Sequence, residues 1–393
     1  MVISKKALHF IVASLVAFMP LISVANPTND SVNVEAHSVD ASHEKTEAHA
    51  ESTHNSEAHA EPTDMKSKVK AFAKHHVLDS HDFTFYADYE LGKHYGFSLP
   101  VILWDNGVHF FSSSKFNHGE AVAESNGNYY VINHHDGKIY KTDATGTITE
   151  DEKTGFPTNV RPIDFSITKN VLFIIITALV MFYLFTSLAK SYAKNGGIAK
   201  GAGRIFEPLV VYIRDEIAIP NIGQKHYKKY MSYLLTIFFF ILFLNLFGLT
   251  PLGVNVTGNL TITFALAIIT FIITNLTANK YYWGHIFWMP GVPKLMRLVL
   301  APIELLGVFI KPFSLMIRLY ANIFAGHIVI MSLIGLIFIF KSWVGSPLSF
   351  ALSFVLSILE ILVAFLQAYI FTMLSALYFG SANEEHHHEE HHV

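Results

Sequence analysis

Six residues in the last third of the chain carry reactive side chains where such side chains are costly. Arg318, with Ser314 and Asn322 four residues to either side, lies inside the otherwise apolar run KPFSLMIRLYANIFAGHIVIM, residues 311–331. His327 follows in the same run. Glu360 and Gln367 lie inside a second run, LSFALSFVLSILEILVAFLQAYIFTMLSALYF, residues 348–379. An arginine at the centre of a bilayer costs about 2.5–3.5 kcal/mol on insertion scales, so a chain that keeps one uses it. On an α-helix, residues four apart fall nearly on one face, which aligns Ser314, Arg318 and Asn322 in a polar stripe that the small Ala325 continues. His327 is nine residues from Arg318, which turns it to the opposite face, ~13 Å further along the axis. Glu360 and Gln367, seven apart, share a face. Arginine keeps its proton, whereas histidine and glutamate exchange theirs. A fixed cation beside titratable groups is the set that ion translocation needs.

A buried Arg318–Glu360 ion pair that only fixes helix packing is the simpler alternative. It accounts for two residues and leaves His327, Gln367 and Asn322 unexplained. Asn245 and Asn275 belong to a weaker class, since a single intramembrane amide can simply hydrogen-bond across helices. Asn245 and Asn259 are further candidates for lining a channel. Glu304 and Lys311 lie near a membrane boundary, where snorkelling is the ordinary account.

The elements that position these residues are membrane helices. The chain is 51% hydrophobic, with 33 Phe and 15% charged residues, and the apolar residues come in long blocks. That pattern indicates a polytopic membrane protein. Spans are expected at 171–189, 233–250, 260–277, 305–340 and 348–379. The last two exceed what a ~30 Å hydrocarbon core requires, so both are expected to be strongly tilted or kinked. The mixed apolar and charged stretch 198–219 reads as an amphipathic surface helix. The loop 190–229 carries eight basic residues, 251–259 carries none, and 280–297 carries Lys280, Lys294 and Arg297. Positive-inside therefore places the first and third loops and the C-terminus in the cytoplasm.

Ahead of the spans the composition changes twice. Residues 1–25, with Lys5, Lys6, an apolar stretch and Ser23-Val24-Ala25, read as a signal peptide, an uncleaved anchor being the alternative. Residues 26–64 are Ala, His, Glu and Ser with few large apolar side chains, a solvated tether or, alternatively, a metal or proton buffer. Residues 65–165 hold short aromatic and β-branched runs broken by Gly, Asn and Asp, and HHDGKIY is a hairpin signal. They predict a small external β-rich domain, in which His134 and His135 are turn-flanking surface residues or, less simply, ligands. The tail 383–393 is again His and Glu, and is expected in the cytoplasm.

The chain has no cysteine, which excludes disulfides, thiolate metal sites and cysteine nucleophiles. Its net charge of −3 offers no basic field for nucleic acid. No phosphate-binding G-x-x-x-x-G-K-[ST] occurs. No cofactor or metal site is expected.

The membrane segment, roughly 165–382, resembles subunit a of the F-type ATP synthase. FLNLFGLTPL (243–252) looks like that family's second-helix motif and VTGNLTITFALAI (256–268) like its third-helix start. KPFSLMIRLYANIFAGHIV (311–329) looks like its arginine helix and ILEILVAFLQAYIFTMLSALY (358–378) like its last helix. The resemblance implies an all-α, five-span stator for residues 166–382 that passes protons through two half-channels to a rotor ring of c subunits. It implies peripheral-stalk b subunits as further partners, lipid around them, and a soluble catalytic sector that performs the nucleotide chemistry. Arg318 then separates the half-channels, Asn322 and Gln367 neighbour it, and His327 and Glu360 lie on the outer access path. Some members carry the acid first and the histidine second; here the order is reversed. Sodium as the coupling ion, a self-contained transporter, and a membrane anchor for the outer domain are the competing readings. The family pattern says nothing of residues 1–165.

Overall fold

A computed structural model describes residues 79–88, 93–119, 121–133, 136–151, 157–196, 201, 203–250, 254–288, 293–339 and 345–383. The expected signal peptide, the tether, His134, His135 and the tail 384–393 lie outside the described residues.

Eight short strands precede the helices. β1 (Asp82–Asp88) pairs antiparallel with β2 (Lys93–Ser98). β3 (Pro100–Trp104) lies between β4 (Val108–Ser112) and the two-residue β8 (Ile163–Asp164). β5 (Ala123–Ser125), β6 (Asn128–Ile132) and β7 (Ile139–Thr142) form a third sheet. β6 and β7 make the hairpin that HHDGKIY signals, with Ile132 opposite Ile139. Gly137, at φ 70°, takes the left-handed position that favours glycine. Val101, Leu103, Phe111, Phe116, Tyr130 and Ile139 form the core between the sheets.

No linker separates these strands from the first membrane helix, α1 (Lys169–Lys194). Thr168 caps α1 through the amide of Val171. Asp79 accepts from the Thr168 hydroxyl at 2.8 Å and from the Asn170 amide at 3.2 Å. The Lys169 amide donates to the Ser80 carbonyl. Phe83 stacks on Phe173 of α1, and Phe173 meets Phe247 further on. The strands are therefore mounted on the helical core.

His81 completes this junction. It is 5% exposed, and its Nε2 lies 3.0 Å from Asp164 Oδ2. Burial disfavours its charge, but Asp164, helped by Asp79 and Asp82, outweighs burial and holds His81 above its ordinary 6.5. Burial raises and His81 lowers the Asp164 value, and the net result is below its ordinary 3.8. The His81 contribution is thus complete below pH 6.5 and is lost as pH rises through its raised value. The Asp164 contribution is present above pH 3.8 and is lost on acidification through its lowered value. We expect amide exchange at 163–169, corrected for intrinsic rates, to quicken as pH rises from about 6 to 9. His81→Ala should remove that pH dependence and loosen the junction by about 1.5–3 kcal/mol, the range for a hydrogen bond to a charged group.

α1 leads into α2 (Gly203–Tyr212), a π-helical stretch (Ile213–Ala218) and α3 (Ile219–Ile222). Together they are helical where an amphipathic surface helix is expected. α4 (Tyr227–Gly248) is the most enclosed of the apolar helices and packs against α8 (Gly345–Asn383). α5 (Leu260–Leu276) is followed by α6 (Lys280–Phe287) after a 100° bend. α7 (Lys294–Ile339) is continuous over 46 residues. Among the described residues, four helices are long and apolar enough to cross a membrane, or five if the bent α5–α6 pair counts as one. Seventeen residues give α5 a length of ~26 Å, slightly short of the ~30 Å hydrocarbon core.

The fourth span differs from expectation. It begins at Lys294 rather than near 305, and it continues through Pro302 and Pro312. Within 280–297, expected as a cytoplasmic loop, the described residues include α6 and the first turn of α7. Proline removes one backbone hydrogen bond, which helix neighbours compensate in membrane proteins. At 46 and 39 residues, α7 and α8 measure ~69 and ~58 Å, about twice the hydrocarbon thickness.

The end of α8 is fastened down. The Tyr230 hydroxyl donates to Thr277 at 2.7 Å and accepts from Asn383 at 2.6 Å. Tyr230 stacks on Phe379 at 4.5 Å. Gly380 meets the Asn221 carbonyl so closely that a Cβ there would overlap it.

Candidate functional site

The Glu360 carboxylate, half-buried on α8, lies against the backbone of α7 at Gly326. A Cβ at position 326 would fall on the carboxyl group, so only glycine admits this approach. Gly326 is the chain neighbour of His327. The backbone of His327 belongs to α7, and its imidazole lies outside the described residues.

A small recess opens beside Glu360, lined by Asn245, Asn255, Thr257, Ile323 and Ala364 among others. Asn245, on α4, accepts from the Thr257 hydroxyl at 2.7 Å and donates to the Ala364 carbonyl at 3.3 Å. Asn245 thus bridges α4 and α8 and lines the recess. Asn255 is 5% exposed. Its Oδ1 accepts from the Gly258 amide, while its Nδ2 has no partner among the described residues. Asn255 and Thr257 escape sequence reasoning because they sit in the α4–α5 connection, which no helical period covers. The fold returns that connection to the level of Glu360. Asn259 is not part of the recess; it caps α5 through the Thr261 amide.

Arg318 is exposed on α7, as are Ser314, Asn322 and Ala325 of the same stripe. Among the described residues, Arg318 and Glu360 form no ion pair. The packing alternative weighed above thus lacks its contact. Arg318 lies within electrostatic reach of Tyr378 on α8. Gln367 is 3% exposed, on the inward face of α8 with Ala364 and Ala368.

A second small recess lies toward the start of α7, lined by Thr270, Thr274, Asn275, Tyr282, Lys311 and Tyr378 together with apolar side chains such as Phe271 and Leu315. The Lys311 ammonium stands 5.5 Å from the Tyr378 ring centre. Glu304 is a charged neighbour of both Lys311 and Tyr282. Lys311 lines this recess. It points between α5, α7 and α8, where an aromatic face attracts it. Asn275 donates to the Phe271 carbonyl and leaves its Oδ1 unpartnered among the described residues.

Along α7 the order is then Lys311 and its recess, exposed Arg318, and the Gly326–Glu360 contact with its recess. A multi-pass membrane protein with two recesses at different levels of one long helix, and an exposed cation between them, is the class that fold and site define. The comparisons with known proteins narrow it. A family model described as ATP synthase A chain matches residues 171–380, just over half of the chain. ATP synthase subunit a of Chloroherpeton thalassium is 43% identical over 235 residues, 58% of this chain and 70% of that protein. ATP synthase subunit a of Chlorobium phaeobacteroides (strain DSM 266 / SMG 266 / 2430) is 39% identical over 304 residues, 74% of this chain and 85% of its own. That match is longer than the stretch 171–393, so it reaches into the N-terminal strands. ATP synthase subunit a of Anaeromyxobacter dehalogenans (strain 2CP-C) is 46% identical over 208 residues, 50% of this chain and 53% of that protein. The chain belongs to the F-type ATP synthase subunit a family. The N-terminal strands match a second model, described as Domain of unknown function (DUF8433), over residues 72–165.

Proposed function

We propose that this chain is the stator channel of an F-type ATP synthase, carrying protons between the outer space and a rotor ring in two half-channels. The observation that carries the reading is the placement of exposed Arg318 between two recesses at different levels of α7, each with polar side chains in its lining. One continuous pore would let protons leak past the rotor. Two offset recesses separated by a fixed cation force each proton onto a moving carrier.

In this reading the recess at Glu360 opens to the outer side. Protons reach Glu360 through water held by Asn245, Asn255 and Thr257, with His327 as partner on α7. Arg318 meets the carboxylate of each passing c subunit and makes it release its proton. The recess at Lys311 and Tyr378 serves the cytoplasmic side. Peripheral-stalk b subunits hold the chain against rotation, and the soluble sector performs the nucleotide chemistry. The outer strands face the periplasm of a bacterial inner membrane, and the C-terminus faces the cytoplasm. Each charge crossing gains ~2.3 kcal/mol per 100 mV. Glu360 and His327 as titratable groups favour protons over sodium as the coupling ion.

Purification of the native complex tests the assignment: the chain should copurify with a rotor ring and a soluble ATPase, and the complex should acidify inverted vesicles on addition of ATP. A chain that purifies alone and transports a solute would refute it. Asn255 gives a finer test. Asn255→Leu fills the recess and removes the free amide. Proton flux from the outer side should fall about tenfold, the equivalent of ~1.4 kcal/mol or one hydrogen bond. Assembly should be retained, and Asn255→Gln should lose less. Flux equal to wild type in Asn255→Leu would remove this residue from the path.

A further inference from the structure

The sheet β4–β3–β8 has two apolar faces. The inner one, with Val101, Leu103 and Phe111, is in the core. The outer one is built of two cross-strand rows. Ile163, Trp104 and Val108 are register partners in the first. Phe165, Ile102 and Phe110 face each other in the second, joined by the Phe165 amide to the Ile102 carbonyl and by the Ile102–Phe110 pairing. Phe110 is 70% exposed, Val108 58%, Trp104 54% and Ile163 49%. An antiparallel sheet with one face in water alternates apolar and polar residues. This one does not, and a contiguous apolar patch on a folded surface marks a contact.

The height of the patch follows from its junction with α1. Segment 163–169 runs hydrogen-bonded along β3 into α1, through Phe165 to Ile102 and Ile167 to Pro100. Leu99, the residue before β3, shares a buried cluster with Phe173, four residues into α1. Ile102 lies three residues beyond Leu99, at most ~10 Å further at ~3.3 Å per residue. The polar layer on each side of a bilayer is ~5–8 Å deep. The second row therefore falls at or beside the headgroup level, where aromatic side chains concentrate. Phe97, 46% exposed, adds a further aromatic side chain at this end of the strands, stacked on Phe83, which stacks on Phe173 of α1.

We propose that the outer face of this sheet lies on lipid, in the headgroup layer of the bilayer that α1 crosses, so that the outer domain braces α1 against tilting. The inference rests on α1 being a membrane span. The chain contains no cysteine, so single nitroxide labels at Phe110→Cys, Trp104→Cys, Thr145→Cys and Leu179→Cys report position cleanly. The complete complex, with its other subunits stripped of cysteine, is placed in phosphatidylcholine–phosphatidylglycerol vesicles, and retained ATP-driven pumping verifies the fold. Accessibility to oxygen and to a water-soluble nickel chelate is then measured. Leu179, 63% exposed on α1, should read as deep lipid, and exposed Thr145 as water. The label at 110 should show an oxygen-to-nickel ratio several-fold above that at 145, with 104 between them. Labels at 104 and 110 that match 145 would overturn the proposal. Labels shielded from both reagents would also overturn it, since a protein would then cover the face. A water-like reading at 179 would instead refute α1 as a span.

Discussion

ATP-driven proton pumping is expected to fall below detection when Arg318 becomes alanine, in a complex that still assembles. The guanidinium stands on an exposed face whose neighbours Ser314, Asn322 and Ala325 carry no charge. Nothing on that stripe can take its place. In the proposed mechanism a rotor carboxylate arrives protonated and gives up its proton because a cation awaits the anion. Two unit charges 4 Å apart at an effective dielectric near 20 attract by ~4 kcal/mol, or about a thousandfold in the ionisation equilibrium. Removing that attraction leaves the carboxylate neutral at the pH of either side. Arg318→Lys should be nearly as severe, because a compact ammonium on a flexible stem does not reproduce the planar, always-charged guanidinium. Dye quenching in inverted vesicles measures pumping, and copurification of the rotor ring measures assembly. An assembled Arg318→Ala complex that pumps at the wild-type rate would end the proposal.

The second large effect is expected at Gly326. A methyl group there falls on the Glu360 carboxylate, so Gly326→Ala must displace the acid from the backbone of α7. Proton flux from the outer side should drop by more than tenfold, the equivalent of over ~1.4 kcal/mol in the transfer barrier. Glu360→Asp withdraws the carboxyl by one methylene. In the Gly326→Ala background it should therefore restore part of the flux, although alone it slows transfer. Such non-additivity marks side chains in direct contact. If the two losses simply add, the contact has no part in proton transfer. The exchange of partners extends the test to the neighbouring residue: His327→Glu with Glu360→His should recover more activity than the worse of its two single components. No recovery would show that the two residues act independently.

The site was legible in the sequence as far as local periodicity reaches. Arg318, Ser314 and Asn322 share a stripe because four residues are close to one helical turn, and any helix through 311–331 would place them so. Glu360 and Gln367 share the inward face of α8 for the same reason. The apolar blocks determined where helices form, since a backbone in lipid must satisfy its hydrogen bonds within its own segment. The start of α7 was not legible. Pro302 and Pro312 stop a helix in water, and their tolerance depends on neighbours that the sequence does not place.

Everything that turns these residues into one site belongs to packing between segments far apart in the chain. Glu360 meets Gly326 because α8 folds back along α7, and a glycine in an apolar helix does not announce which side chain will use its missing Cβ. Asn255 and Thr257 join Glu360 because a connection with no period of its own turns inward between α4 and α5. Lys311 meets the Tyr378 ring because a helix that begins 34 residues later folds back onto α7. In each case composition determined that a polar group would need a partner, because desolvation in an apolar surround is costly whatever the fold. Which partner it received was decided by interhelical distance and rotation, and these follow from how ridges and grooves of side chains pack across helices rather than from the spacing along any one of them.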